Sequence, residues 1–428
     1  SPRCRRTVNV SASHLRASVR RQLRRPLAVV AVLGPGLIAA NAGNDAGGIL
    51  SYASAGAQYA YRTLFIMVLV TIALVVVQEM SARIGATTGN GLVSLIREQF
   101  SLRVATFSVV CLLVANLGLV VSEFAGIGAA MELLGVSRYV AVPTAAIAIW
   151  AVVIFGSYRY AERAFILLSL VFLAYPISAV LGHPHWGTVA SNTALPHLLA
   201  SRSFLFLVVA LIGTTITPYM QLYQTAAVVE RGARPSDLRN IRIDSITGSI
   251  FANVISMAII IATAATIGGT GVLRSAAQAA QALEPVAGSA AKTLFAIGLL
   301  GASLLAAAVV PLATSYALAE AIGVERSVSR TFRDAKAFLG LFTVQLVIGA
   351  AIALAPGNLI DLLINMQFLN GLISPVLLTF ILILANRRTL MGDNVNGKKF
   401  RALATICTVA VAALAGFVAL QSIVSALS

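Results

Sequence analysis

Charge is what this sequence has least of. Only 11% of its 428 residues are Asp, Glu, Lys or Arg, against about a quarter in soluble proteins. Acidic residues are the scarcer sign: 15 against 31 basic, a net charge of +16. Histidine is nearly missing, with His14, His183, His185 and His197 the whole set, and this argues against a histidine-built metal site. The three cysteines, Cys4, Cys111 and Cys407, are far apart and share no metal-ligand spacing, so neither a disulfide framework nor a zinc site is indicated. There is no nucleophile–base pair and no phosphate loop, which argues against an enzyme. No cofactor is expected.

What fills the chain is apolar: 58% hydrophobic residues and a mean hydropathy of +0.90. The apolar runs are continuous and reach the ~20 residues that a bilayer-crossing helix needs. Barrel strands would alternate instead. An all-α integral membrane protein is therefore expected. Eleven candidate spans can be drawn: 28–51, 62–82, 104–134, 139–157, 163–182, 203–229, 245–268, 291–321, 338–355, 361–386 and 402–426. With the N-terminus in the cytoplasm, 26 of the 31 basic residues fall on the inner side, and only Arg62, Arg138, Arg202, Arg274 and Lys292 fall outside. That asymmetry is the inner-loop bias of membrane proteins. It explains the positive charge without nucleic acid, and it predicts a multi-pass plasma-membrane protein in a lipid bilayer. Residues 1–27 read as a basic, disordered cytoplasmic tail with no apolar core of a cleaved signal. The sequence carries no reading of oligomeric state.

Two spans are broken. The first contains "NAGNDAGG" at 41–48, and the sixth contains "GTTITPYMQ" at 213–221. Five spans separate the breaks, so the two halves would enter the membrane from opposite sides. Interrupted helices at matching positions of inverted halves point to a transporter's binding site. The expected halves are 28–182 and 203–386, with 402–426 as an additional helix.

Asp45 is the leading candidate ligand. A charged side chain at mid-membrane costs ~2.5–3.5 kcal/mol on insertion scales, so it usually faces a cavity or a partner. The competing reading is that Asp45 caps a half-helix or pairs with a buried base. Gly43, Gly47 and Gly48 would let the backbone unwind and turn carbonyls to a cation, which at this depth survives only beside a cavity. In the sixth span Pro218 has no N–H for the carbonyl of Thr214. Thr214, Thr215 and Thr217 either line the site or bond back to the preceding turn. Asn44, Gln367 and Asn370 are expected to hold water around the ion or line its vestibule. Gln367 and Asn370 read equally as interhelical hydrogen-bonding groups. Asp244 and Glu320 read as interfacial charges.

"GPGLIAANAGNDAGGILSYASAGAQYAYRTLF" followed by "VVVQEMSARIGATTGNGLVSLIREQF" resembles the start of the Nramp family of divalent-metal transporters. Gly34-Pro35-Gly36, the aspartate eleven residues after Gly34, Gln78 and the "TGNGL" turn carry the likeness. "VVSEFAGIGAAMELLG" and "IRIDSITGSIFANVI" resemble the family's third and seventh helices. The resemblance implies a LeuT-like fold: two inverted five-helix repeats, with helices 1 and 6 unwound around the metal.

The departures bear on the cargo. The family's Asp-Pro-Gly-Asn is Asp45-Ala46-Gly47-Gly48 here, and its Met-Pro-His is Thr217-Pro218-Tyr219. An amide ligand and a thioether ligand are both replaced. Sulfur favours transition metals and offers nothing to Mg²⁺. A roomier oxygen site suits Mg²⁺, which dehydrates reluctantly and keeps several waters. The pattern resembles the Nramp-related magnesium transporter branch, with Asp45, Gly48, Thr214 and Thr217 as the metal positions. Met220, three residues on, is an alternative sulfur source. Tyr219 and Gln224 stand where the family has histidines, and neither titrates near neutral pH. Glu123 matches a family acidic position, as a member of a proton path or as a structural hydrogen-bonding group. The expected function is secondary transport of partly hydrated Mg²⁺, and also Mn²⁺, without proton coupling. The alternatives are a proton-coupled Mn²⁺/Fe²⁺ importer and a sodium-coupled carrier of an organic solute.

Overall fold

The computed structural model describes residues 44–155, 170–322 and 336–427. The expected tail (1–27), the first half of the opening span with Gly34-Pro35-Gly36, and Arg159, Arg163, Arg326, Arg330 and Arg333 lie outside the described residues. So does the side chain of Glu320.

The described residues form helices and no strand. Those of eight residues or more are α1 (Ala46–Tyr59), α2 (Leu64–Thr88), α3 (Leu92–Gln99), α4 (Leu102–Leu133), α5 (Arg138–Ile154), α6 (Ala174–Leu181) and α7 (Trp186–Ala194). After them come α8 (Arg202–Thr215), α9 (Pro218–Glu230), α10 (Leu238–Ile267), α11 (Ala291–Ile322), α12 (Lys336–Ala353), α13 (Leu359–Asn386) and α14 (Lys398–Leu427). Among the described residues, seven helical stretches are long and apolar enough to cross a membrane, and three shorter apolar ones cover 138–154, 170–181 and 338–353. With α1 these account for the eleven expected spans. The seventh starts earlier than expected, at Leu238, because its polar first turns continue the helix beyond the apolar run. The helices α3 and α7 were not expected; both are too short and too mixed in polarity to read as spans.

Local sequence explains the ends. α2 is Leu-, Val-, Ile- and Met-rich and stops at Gly89, whose φ of 66° is the left-handed C-terminal cap that glycine adopts freely. α9 opens on Pro218, where a missing N–H costs nothing. Outward-facing Ile147, Phe155, Ile406, Val409 and Phe417 would suit hydrocarbon, while backbone polar groups are satisfied within the helices.

Two groups of helices enclose the site. In the first, α10 lies against α1 and α2, α9 against α2, and α8 against α1. In the second, α4 lies against α5, α11 and α12. α13 joins them, packing on α4, α8 and α1. Helices five spans apart pack on each other: α1 with α8, α2 with α10, α4 with α11, and α5 with α12. This is what an inverted two-fold arrangement demands of helices near its axis. The α8–α13 crossing is backbone to backbone. A Cβ on Gly213 would overlap the Gln367 carbonyl oxygen, and one on Gly371 would overlap that of Val209. Small residues permit such close approach in membrane helices.

Candidate metal site

Asp45 sits just before α1 with φ −72° and ψ 179°, the extended geometry of an N-cap. Its Oδ1 accepts the Gly48 N–H at 2.6 Å. The capping alternative is thus realised, and it occupies one oxygen only. Asp45 is 2% exposed, and Oδ2 has no hydrogen-bond partner. No arginine or lysine pairs with Asp45 among the described residues. Gly48 lies in the first turn of α1 and contributes its N–H to that cap.

Glu123, fully buried on α4, accepts the Ala46 N–H on Oε2 at 3.4 Å, and its Oε1 is unpartnered. The Asp45 and Glu123 carboxyls are near enough to interact directly. Gly126, one turn on, makes the approach of α4 to α1 feasible: a Cβ there would overlap that of Ala46. Two buried carboxyls without a base between them need a cation or a proton to share.

The sixth-span break occupies two residues. Ile216 (φ −118°, ψ 60°) ends α8, and extended Thr217 (φ −73°, ψ 141°) precedes Pro218. Ile216 still donates its N–H to the Ile212 carbonyl at 2.8 Å, and its own carbonyl accepts from the Ser374 hydroxyl at 3.0 Å. Thr214 and Thr217 are fully buried, and both hydroxyls are unpartnered. Thr217 makes no side-chain cap to α9. Thr215 behaves differently: its hydroxyl bonds the Leu211 carbonyl at 2.7 Å and the Tyr52 hydroxyl at 2.9 Å. That is the bond-back reading, and it ties α8 to α1.

Gln367 lies against the Gly47 backbone, where a Cβ would strike its amide nitrogen. That nitrogen reaches the Ser122 hydroxyl at 3.4 Å, and the amide oxygen is unpartnered. Asn370 donates to the Met366 carbonyl at 3.2 Å and leaves Oδ1 unpartnered. Asn44 faces α10: its amide reaches the Ala252 carbonyl at 3.5 Å, and its oxygen accepts from Ser256 at 3.1 Å. Met220 is buried near the start of α9. Sequence reading missed Tyr52, Ser122, Ser256 and Ser374. Serines and a tyrosine within apolar helices carry no distinguishing pattern, and only the fold brings them to the breaks.

The site thus collects buried oxygens without a partner among the described residues: Asp45 Oδ2, Glu123 Oε1, the Thr214 and Thr217 hydroxyls, Gln367 Oε1 and Asn370 Oδ1. Among the described residues no three His, Cys, Asp or Glu side chains cluster; the donors near the breaks are two carboxyls, neutral oxygens and the buried Met220 thioether at the start of α9. The oxygens suit a hard cation that keeps water.

The family profile described as natural resistance-associated macrophage protein-like, Nramp, matches residues 36–421. The chain is 27% identical over 414 residues to a protein of Deinococcus radiodurans described as divalent metal cation transporter MntH, covering 91% of this chain and 89% of that one. Its fold is similar to that of a manganese transporter of Eremococcus coleocola solved with an aromatic bis-isothiourea compound, with TM-score 0.73 and 18% identity over 90% of this chain and 85% of that one. It is also similar, with TM-score 0.55 and 13% identity over 90% and 97% of the two chains, to MhsT solved in complex with L-phenylalanine.

Proposed function

The chain belongs to the Nramp family, and from that premise we propose that it is a secondary transporter of divalent metal ions whose cargo is partly hydrated Mg²⁺, with Mn²⁺ also carried. The observation that carries this reading is the donor set. At the breaks the buried Asp45 Oδ2 and the Thr214 and Thr217 hydroxyls have no partner among the described residues, and on the resemblance Gly48 and Thr217 stand where the family has asparagine and methionine. Asp45 supplies the charge, Thr214 and Thr217 supply neutral oxygens, and Gln367 and Asn370 hold the ion's water. Sulfur would be needed to prefer softer metals. The repeats are assigned to 28–182 and 203–386, with 402–426 outside them. The arginine-rich loops face the cytoplasm of a cell whose plasma membrane the chain crosses.

We infer that the cycle carries no protons, since Tyr219 and Gln224 replace titratable groups on α9. One observation favours a second reading, a proton-coupled Mn²⁺/Fe²⁺ importer: Glu123 lies beside Asp45, where a proton leaving one carboxyl has a second to receive it. Flux into proteoliposomes with Mg²⁺, Mn²⁺ and Ca²⁺ compared, and a pH dye inside, separates the two. Mg²⁺ entry without acidification is the expected result. Mn²⁺ entry with acidification and no Mg²⁺ entry would replace the first reading by the second.

A further inference from the structure

The end of the bundle away from the arginine-rich loops is poor in cations. The topology reading gives it five: Arg62, Arg138, Arg202, Arg274 and Lys292. Two of these, Arg138 and Arg274, are far apart in sequence and line one cavity of about 480 Å³. That volume falls in the ~300–1,000 Å³ range of small-molecule sites. Three segments enclose it: the corner between α4 and α5, the start of the α10–α11 connection, and the loop into α13. The cavity is distinct from the metal site. Glu132, in its wall, lies about 14 Å along the α4 axis from Glu123.

Local bonds hold the walls together and leave the charges free. Asn358 caps α13, its Oδ1 accepting the Ile360 N–H at 2.8 Å, and its Nδ2 donates to the Arg274 carbonyl at 3.0 Å. Arg138 donates through Nη1 to the Gly357 carbonyl at 3.0 Å, and its Nε stands 3.7 Å from Glu132 Oε1. Gly357 takes a φ of 151°, and the space a Cβ would fill there is open. The Arg138 side chain is only 15% exposed. Among the described residues Arg138 Nη2 donates to nothing, and the Arg274 guanidinium has neither a hydrogen bond nor an ion pair. Two guanidiniums and one carboxylate leave the lining with a net charge of +1. The N-terminus of α13 adds a partial positive charge of about half a unit. Asp361, in its first turn, is exposed and outside the lining. The rest of the wall is largely apolar, with Leu133, Ala276 and Leu359.

We propose that this cavity is an anion site, which takes a phosphate-bearing ligand between Arg138 and Arg274 and lays its apolar part against Leu133 and Leu359. Like charges facing one cavity repel each other, and an anion between them removes that repulsion. A guanidinium offers paired N–H groups that match phosphate oxygens, and a helix N-terminus favours the same group. A dication is repelled from this lining, so the cavity is no stopping place for the cargo, whichever cation the chain carries. A bound anion would join the α4–α5 corner to the α10–α11 connection, which otherwise meet here through Gly357 and Asn358. A phospholipid headgroup and a soluble organic phosphate share this chemistry.

The test titrates inorganic phosphate by calorimetry, without metal, into the full chain in detergent. Phosphate should bind with a Kd below about 1 mM. Arg274→Gln should weaken it about tenfold. Glu132→Gln removes the competing carboxylate and should tighten it about threefold, and a gain of affinity cannot come from misfolding. Nanodiscs then identify the source. Phosphate binding that persists in phosphatidylcholine and disappears with phosphatidylglycerol assigns the site to a lipid headgroup. Equal binding in both assigns it to a soluble phosphate. Absence of phosphate binding in detergent and in both nanodiscs overturns the site, and so does an affinity that neither substitution moves.

Discussion

At the start of α1 the chain commits its polar groups to itself: Asp45 caps Gly48, Asn44 binds α10, and the Ala46 N–H goes to Glu123. At the α8–α9 break the reverse holds. Thr214 and Thr217 are left unpaired, and Thr217 caps nothing. The first break is charged and braced, with Asp45 Oδ2 and Glu123 Oε1 left over. The second is neutral and open. Under the proposed reading, the charge for a cation comes from the braced side and neutral oxygens for its water shell come from the second break.

The sharpest way to break this comparison separates the two roles of Asp45. Asp45→Asn keeps a good helix cap and removes the charge, so the protein should melt close to wild type and show no Mg²⁺ or Mn²⁺ uptake. Asp45→Ala should lose uptake equally, and should also lose about 1 kcal/mol of stability with the cap. Chemical denaturation beside flux measurements checks both, and normal uptake by a well-expressed Asp45→Asn removes this residue from the site.

A smaller effect is expected when the neutral break is made soft. Gly48→Asn with Thr217→Met should weaken Mg²⁺ uptake roughly tenfold and tighten Cd²⁺ binding, because a thioether favours softer ions. Titration calorimetry reads this directly, and unchanged Cd²⁺ affinity would mean that position 217 faces away from the ion. Smaller still is Glu123→Gln, which keeps the acceptor for the Ala46 N–H. Uptake should slow modestly, and internal pH should stay flat in both proteins. Wild-type acidification that vanishes in Glu123→Gln would show that the braced side carries protons as well. Entry should also follow a valinomycin potential, since two charges cross a field worth ~2.3 kcal/mol per charge per 100 mV. The least effect belongs to Tyr52→Phe, which deletes the Thr215 hydroxyl contact. A neutral hydrogen bond is worth about 1 kcal/mol, so it should lower thermal stability slightly with Mg²⁺ affinity unchanged.

Much of this was legible in the sequence because membranes impose strict rules. Continuous apolar runs marked the spans, and a proline and an aspartate inside them marked both breaks. Asp45 and Thr217 take extended, non-helical backbone, and Thr214 lies in the last turn of α8 just before the second break. The tethers were not legible. Ser374 on the Ile216 carbonyl, Ser256 on Asn44 and Tyr52 on Thr215 join residues more than a hundred positions apart. Each is a common polar residue whose partner only the packing selects. The division of labour between Asp45's two oxygens was equally hidden, since capping and ligation call for the same residue.

The glycine crossing of α8 and α13 also limits how the molecule can move. Backbones touching at Gly213 and Gly371 interlock like meshed teeth, and sliding would drive main chain into main chain. The two helices therefore turn as a single lever, keeping Asn370 and Ser374 in fixed register with Thr214 and Ile216. α13 meets α1 through the side chain of Gln367 lying on Gly47, and a side chain can lift off by changing rotamer. The joint that flexes is then the Gln367–Gly47 contact.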